Sequence, residues 1–360
     1  MISQGLYALC VDIDLSKIYS GKTILVTGHT GFKGAWLVSI LKTWGANVIG
    51  IALDPVPNSI WTQTNFEVED IRLDICDFNK TNKVISKLEF DLVFHLAAQP
   101  IVSVAYKNPI ETYETNSLAM ANLLVAVSKV ENCQGVVAVT TDKVYKPSDI
   151  TSGHKESDPL GGVDPYGASK AAAEIYIDGL RNVISRPNFK IVTVRAGNVI
   201  GGGDISVNRL IPDLLRAYES NKQLVIRNPN YVRPWIHVLD VLNGYLQVGA
   251  RILNRTDFPD SINFGPRPSD LSTVIKVVEM ARVTLSGKLS FTIEESDFKE
   301  DSFLFLNSDL AKAILGWQPK LTIEGAVDLT LNWWMKKFNG ADTGNLIEAD
   351  LNYFFNMKAN

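Results

Sequence analysis

Cysteine is scarce, and the three present, Cys10, Cys76 and Cys133, lie far apart with no Cys-x-x-Cys pair. An odd, scattered set argues against a disulfide framework and a structural zinc site; no metal is expected, and a reducing compartment suits it. Neither sign of charge dominates: 35 Lys and Arg stand against 39 Asp and Glu, a net of -4. That balance offers no footing for nucleic acid or an anionic membrane, while leaving room for a local basic site that takes a phosphorylated small molecule. Long hydrophobic runs are missing too, none approaching the about 20 residues of a membrane span. Met1 to Val11 is apolar but lacks a basic start and meets Asp12 and Asp14 at once, which is not a signal-peptide pattern. With no repeats or low-complexity linkers, the chain is expected to be a soluble cytoplasmic protein without a nucleic-acid or membrane partner.

What is present is apolar material in ordered blocks. At 46% hydrophobic over 360 residues the chain can bury a sizeable core, as one large or two interleaved domains. Lys22 to Val26 reads as a buried strand, Thr27-Gly28-His29-Thr30-Gly31-Phe32-Lys33-Gly34 as a glycine turn, and Ala35 to Leu41 as a helix. In that order Gly28 permits a tight turn and Gly31 lets backbone approach a pyrophosphate. Gly34 lets the helix pack close to the strand, its amino terminus facing the phosphates. Asn47 to Leu53 is the second strand, and Asp54 follows Gly34 by twenty residues, where an acid meets a ribose hydroxyl. Asp54 also precedes Pro55 and fits a turn residue. No Arg or Lys stands beside it in sequence, which favours NAD over NADP; Lys33 is the one charge that argues the other way.

A third short strand leads to Asp74 and Ile75, which either border an adenine or form a solvated loop. Asp91 to Leu96 is a fourth strand, ending in Ala97, Ala98 and Gln99, small residues at first that let a dinucleotide lie close. His95 inside it is expected to be a core histidine. A helix from about Ile110 to Val130 carries Asn116, as a cofactor neighbour or a solvent-facing polar position. Gly135 to Val139 is a β-branched-rich run suited to burial on both faces, and Thr140 to Tyr145 follows at its carboxyl end, where open α/β sheets bind ligands. Tyr166 and Lys170 are four apart among good helix formers and share a helical face. An ammonium beside a phenol lowers the tyrosine pKa from about 10 toward neutrality, so such a tyrosine can take a proton from a sugar hydroxyl.

Lys190 to Val194 is the sixth strand, leading to Arg195-Ala-Gly-Asn198 and Gly201-Gly-Gly-Asp204. Beyond it the elements shorten and loops multiply. Arg209, Arg227 and Arg233 there either clamp a diphosphate by charge-assisted hydrogen bonds or are ordinary surface arginines. The reading is therefore an α/β fold, a Rossmann doubly wound parallel sheet with a smaller carboxyl-terminal substrate-binding lobe. Its expected divisions are an extension over 1–20, the dinucleotide domain over 21–200, a lobe over 201–340 with elements interleaved into the sheet, and a tail over 341–360. Asn307 to Trp317 reads as a capped helix stopped by Gly316, and Leu329 to Phe338 as the final helix, with Trp333 and Trp334 as packing residues.

Taken together, Thr27 to Gly34, Ala97-Ala-Gln-Pro100, Thr141-Asp-Lys143, Asp164-Pro-Tyr-Gly-Ala-Ser-Lys170, Arg195 to Asp204, Arg209-Leu-Ile-Pro-Asp213, Ile226-Arg-Asn-Pro229 and Arg233-Pro-Trp235 resemble one family. It is the extended short-chain dehydrogenase/reductases, and within them the CDP-glucose 4,6-dehydratase group. The resemblance runs from about Gly21 to Trp334. It implies tightly held NAD, a nucleotide-diphosphate sugar substrate, a homodimer built on two long helices, and substrate contacts at Gln99, Asn198, Arg209, Arg227 and Arg233. The implied reaction is an internal redox cycle. Tyr166, assisted by Lys170 and oriented by Thr141, removes the C4 hydroxyl proton as C4 hydride passes to NAD; water then leaves across C5 and C6, and the hydride returns to C6. Asp142 is implied as the acid for the departing C6 hydroxyl. Lys143 stands where dTDP-glucose dehydratases carry a glutamate base, and is either that base or a cation that contacts the ligand.

The chain departs from the group in places. Ser103-Val104 stands where a basic residue is common, Val144 where there is Cys, polar residues over Lys146 to His154 where there are aromatics, and Ile205 where there is Trp. Two rivals of other classes are a sugar-nucleotide 4-epimerase, which has no use for the Asp142-Lys143 pair, and a catalytically silent NAD-binding scaffold.

Overall fold

The computed structural model describes residues 14–147, 152–294 and 301–357, so most of the amino-terminal extension and part of the Lys146 to His154 stretch lie outside the described residues. Seven strands form one sheet: β1 (Thr23–Thr27), β2 (Asn47–Ala52), β3 (Glu69–Arg72), β4 (Leu92–His95), β5 (Gly135–Val139), β6 (Lys190–Ala196) and β7 (Ser261–Phe264). All neighbours pair in parallel, in the order β7-β6-β5-β4-β1-β2-β3. Chain order reverses between β1 and β4, and a ligand crevice forms at such a switch point.

Side chains alternate across a strand, and here each face of the sheet has its own core. Ile24, Val26, Leu92, Phe94, Val137, Val139, Val192 and Val194 face Trp36 and Leu37 of the helix Phe32–Thr43 and Leu242 and Tyr245 of the helix Val238–Leu253. Leu25, Ile49, Ile51, Val93, Val136, Ala138 and Ile191 face Leu123 and Leu124 of Ala119–Val127 and Ile177 of Pro165–Arg181. Burial on both faces explains why these strands read as unbroken apolar runs. The edge strand β3 is charged instead, with Glu69, Asp70 and Arg72, and a charged edge discourages pairing with other chains.

Three features differ from the sequence expectation. β7 is an addition to the six strands that the sequence pattern marks; it returns from beyond residue 200 to pair with β6, Ser261 opposite Thr193. The helix expected from Ile110 to Val130 is broken into Pro109–Tyr113, a π-helical turn Glu114–Leu118, and Ala119–Val127. The helix expected from Leu329 begins earlier, at Ile323, and is not the last. Thr343–Asn356 follows it, capped by Asp342, and buries Leu346, Ile347, Leu351 and Phe354 in the core that holds Trp36. The stop at Gly316 is as expected, in the left-handed conformation at φ 68°.

The smaller elements are short pairs: Leu224–Arg227 with Phe291–Glu294, Val232–Arg233 with Ser272–Thr273, and Asn198–Ile200 with Trp235–His237. Among the described residues no helix is long and apolar enough to cross a membrane.

Candidate active site

The glycine turn between β1 and its helix is tightly built. Gly28 has φ +70°, and its N–H donates to Ile51 O at 2.8 Å; a Cβ there would meet Ala97 N at 2.6 Å. A Cβ on Gly34 would collide with the Gly28 carbonyl, so only glycine lets helix and turn come this close. Gly31 is the N-cap of Phe32–Thr43, and among the described residues no side chain caps that helix, which leaves its first N–H groups for an anion. Leu96 and Ala97 lie against Gly28 on the other side. These residues suit the pyrophosphate of a dinucleotide.

Several expected cofactor residues have other work. The His29 imidazole is fully buried, edge-on to Trp61 at 4.5 Å with Nε2 2.9 Å from Asp70 Oδ1, so it supports the β2–β3 shoulder and leaves only backbone in the turn. Thr30 donates to Leu53 O at 3.4 Å, and Phe32 packs into the core beside Gly201. The Lys33 ammonium lies 5.8 Å over the Tyr245 ring. Burial, with Arg209 and Lys170 acting in the same direction, draws its pKa down to about 7. Asp54 is exposed, and Arg72 lies beside it, Nε 3.8 Å from Oδ1, which corrects the expectation that no cation is near. Arg72 is also bonded to Asp70 at 2.6 Å and to Leu53 O at 2.9 Å, so two carboxylates already share its charge. Asp74 accepts from Cys76 N at 2.9 Å, fixing the turn that carries the buried Ile75.

Asn116 is 1% exposed, which removes the solvent-facing alternative. The π-turn directs it inward. Its Oδ1 accepts from Gln99 N at 2.9 Å while Nδ2 donates to Ser169 Oγ at 3.0 Å, tying the loop after β4 to the Tyr166 helix. Gln99 is not placed as a substrate ligand: Nε2 donates to Thr112 Oγ1 at 2.9 Å and Oε1 accepts from Ile101 N at 2.6 Å, so both ends of its amide serve the loop. His95 is buried as expected but only half paired, with Nδ1 2.6 Å from Thr27 Oγ1 and Nε2 without a partner.

A cavity of about 410 Å³ opens at the carboxyl ends of the strands, and the structure brings Thr141, Asp142, Lys143, Tyr166, Asn198 and all three expected arginines to its wall. Asp164 starts the helix Pro165–Arg181 by accepting from Gly167 N at 2.8 Å, and Tyr166 and Lys170 project from one face of it. Lys170 is 2% exposed, donates to Val139 O at 3.2 Å and titrates near 8, because burial lowers it while Glu174 one turn on acts the other way. Glu174 is itself held by Thr140, Thr193 and Arg195. Tyr166 differs from expectation: burial pushes the phenol above its usual value, and the hydrogen bond to Thr141 and the charges of Arg209 and Lys143 only partly offset it. Sequence spacing predicted the reverse because it counts the lysine and not the desolvation.

Asp142 is 4% exposed; Oδ1 accepts from Thr141 Oγ1 at 2.9 Å and Oδ2 has no partner. Burial raises its pKa, against opposing pulls from Lys143, the Thr141 hydrogen bond and Arg233. Such a carboxyl keeps a proton to higher pH than usual and has an oxygen from which to deliver it. Lys143 Nζ lies 3.3 Å from Asp164 Oδ2, a partner the sequence reading missed although Asp-Pro before the helix marks an N-cap. Arg233 is 7% exposed, donates to Asp301 O at 2.7 Å and lies 5.0 Å over the Tyr231 ring; Arg209 reaches Pro100 O at 3.4 Å.

A parallel sheet with a glycine turn at its switch point, and a Tyr/Lys pair at the carboxyl edge, define a dinucleotide-dependent enzyme. The NAD dependent epimerase/dehydratase family matches residues 24–264, and the chain belongs to it. It is 40% identical over 337 residues to the CDP-glucose 4,6-dehydratase of Salmonella typhimurium, covering 91% of this chain and 94% of that one. With the UDP-glucose 4-epimerase of Halalkalibacterium halodurans it shares 27% over 340 residues, covering 89% and 98%. The solved UDP-glucose 4-epimerase from Bifidobacterium longum, in complex with NAD+ and UDP, has the same fold at a TM-score of 0.77 and 24% identity, covering 89% of this chain and all of that one.

Proposed function

We propose that the protein is a sugar-nucleotide 4,6-dehydratase whose substrate is CDP-D-glucose and whose product is the 4-keto-6-deoxy sugar. The observation that carries this reading is Asp142, a nearly buried carboxyl with a raised pKa and an unpartnered oxygen, in the same cavity wall as Tyr166. A 4-epimerase moves hydrogen at C4 and expels nothing, so it needs no acid there. The relative at 40% identity supports the same choice.

Gly28, Gly31, Gly34, Ala97 and Ala98 would hold NAD. When bound, NAD would supply a reversible acceptor for the C4 hydride, which goes back to C6 once water has left, with a proton returning to C5. Tyr166 takes the C4 hydroxyl proton, with Thr141 and the Lys170 charge orienting and stabilising the phenolate. The C4 ketone acidifies C5; the C5 proton goes to a base, and Asp142 protonates the C6 oxygen so that it leaves as water. Lys143 must first give up its proton and its pairing with Asp164 to be that base; held in the pair, it is a cation for the ligand. Arg209, Arg227 and Arg233 meet the diphosphate. Mixing the protein with CDP-, dTDP-, UDP- and GDP-glucose and weighing the products tests the reading. A product lighter by one water from CDP-glucose is expected; an isomer of unchanged mass would establish the epimerase instead.

Arg233→Ala is expected to weaken CDP-glucose binding by about 10-fold or more, since a hydrogen bond to a charged group contributes about 1.5–3 kcal/mol. Unaltered affinity by calorimetry would assign Arg233 to the scaffold alone.

We also propose a cytoplasmic homodimer. Ile110 and Tyr113, on Pro109–Tyr113, and Ile175 and Tyr176, on the Tyr166 helix, leave apolar side chains exposed on two helices that pack together, and a second copy would cover them. Light scattering that gives the mass of one chain at micromolar concentration would refute this.

A further inference from the structure

The cavity wall carries a second carboxylate, Asp204, 4% exposed, that the reaction above does not use. A carboxylate so covered is ordinarily paired. Its Oδ1 accepts from Ser206 N at 3.0 Å, and among the described residues no donor is bonded to Oδ2. Lys33 is within electrostatic reach of both Asp204 and Asp142, which helps two carboxylates coexist in one cavity. The position is also rigid. A Cβ on Gly201 would meet Val238 Cγ1 at 2.6 Å, one on Gly202 would strike the Trp333 ring, and the Gly202 carbonyl accepts from Trp36 Nε1 at 2.9 Å. Asp204 is therefore carried on a segment clamped from several sides.

A fixed, unmet acceptor of negative charge repels a diphosphate and calls for neutral donors. A nucleotide sugar offers hexose hydroxyls, ribose hydroxyls and, in cytosine, an amino group; Asp204 shares its wall with Tyr166 and Asp142, where the hexose reacts, and this favours the hexose hydroxyls. The C4 hydroxyl belongs to Tyr166 and the C6 hydroxyl to Asp142, which leaves C2 and C3. We infer that Asp204 is a sugar-recognition residue that accepts a hydrogen bond from the C2 or C3 hydroxyl and so sets which face of the ring meets Tyr166. This assignment rests on the proposed function and deepens it.

The test compares CDP with CDP-glucose by calorimetry on the wild type and on Asp204→Ala. CDP affinity is expected to stay within twofold while CDP-glucose affinity falls about tenfold, as befits a lost charged hydrogen bond. The 2-deoxy or the 3-deoxy analogue should suffer the same loss on the wild type and no further loss on the variant. Should Asp204→Ala misfold, by melting temperature, Asp204→Asn with the same analogues carries the comparison, with a smaller penalty for the missing hydroxyl than the wild type shows. Equal losses for CDP and CDP-glucose, or no loss for either, overturn the assignment. A wild type that binds no CDP-glucose overturns both this assignment and the proposed function, a result distinct from a variant that binds CDP-glucose as the wild type does.

Discussion

Tyr166→Phe is expected to cut turnover by about 10²–10⁴-fold with little change in CDP-glucose affinity. That is the usual range for losing one general base, and the ring keeps its packing when only the hydroxyl goes. The structure sharpens the reason. Burial holds the phenol above its ordinary pKa, so the proton is not given up until charge in the filled site favours the phenolate. In the proposed mechanism Lys170 supplies such charge; with its pKa near 8 it is mostly protonated at neutral pH and loses the charge as pH rises through that value. The wild-type rate should therefore fall above about pH 8. Steady-state kinetics settle the matter: a variant within threefold of the wild type would remove Tyr166 from the chemistry.

Asp142→Asn should separate the steps of the reaction. Asparagine keeps the size of the side chain and its ability to accept from Thr141, but it has no transferable proton. Oxidation at C4 should survive and loss of water should stall, with an expected drop in product formation of about 10²–10⁴-fold. The reduced-nicotinamide absorbance should rise once and hold, without 4-keto-6-deoxy sugar. The pH dependence carries a sign as well. Burial raises the Asp142 pKa, so its protonated fraction is highest at low pH and falls as pH rises through the raised value. Elimination limited by Asp142 should slow with rising pH in the wild type and lose that dependence in the variant. Product formed at the wild-type rate by Asp142→Asn would show that the acid is elsewhere.

What can be read in the sequence follows the range of the physics involved. The glycine turn was legible because Gly28 and Gly34 answer to contacts within a few residues or to the next strand end, and their spacing is written in the chain. Tyr166 and Lys170 share a face because helical period alone puts them there. Gln99 and Asn116 were legible as polar residues near the site but not in their roles. Whether an amide points into a cavity or closes a loop depends on Thr112 for Gln99 and Ser169 for Asn116, which no local pattern associates with them.

Alone, the sequence determined the strand–turn–helix that cradles a dinucleotide, the double-faced strands of a parallel sheet, and the Tyr/Lys pair at its carboxyl edge. All of these rest on periodicity and turn chemistry acting over a few residues. The tertiary structure decided which distant groups became neighbours: Arg72 reaches Asp54 because β3 lies against β2, Lys143 pairs with Asp164 because that residue caps the next helix, and β7 extends the sheet from within the 201–340 stretch. It also decided the sign of the Tyr166 shift. Desolvation is a property of everything packed around a group, and charge spacing along a chain carries no record of it.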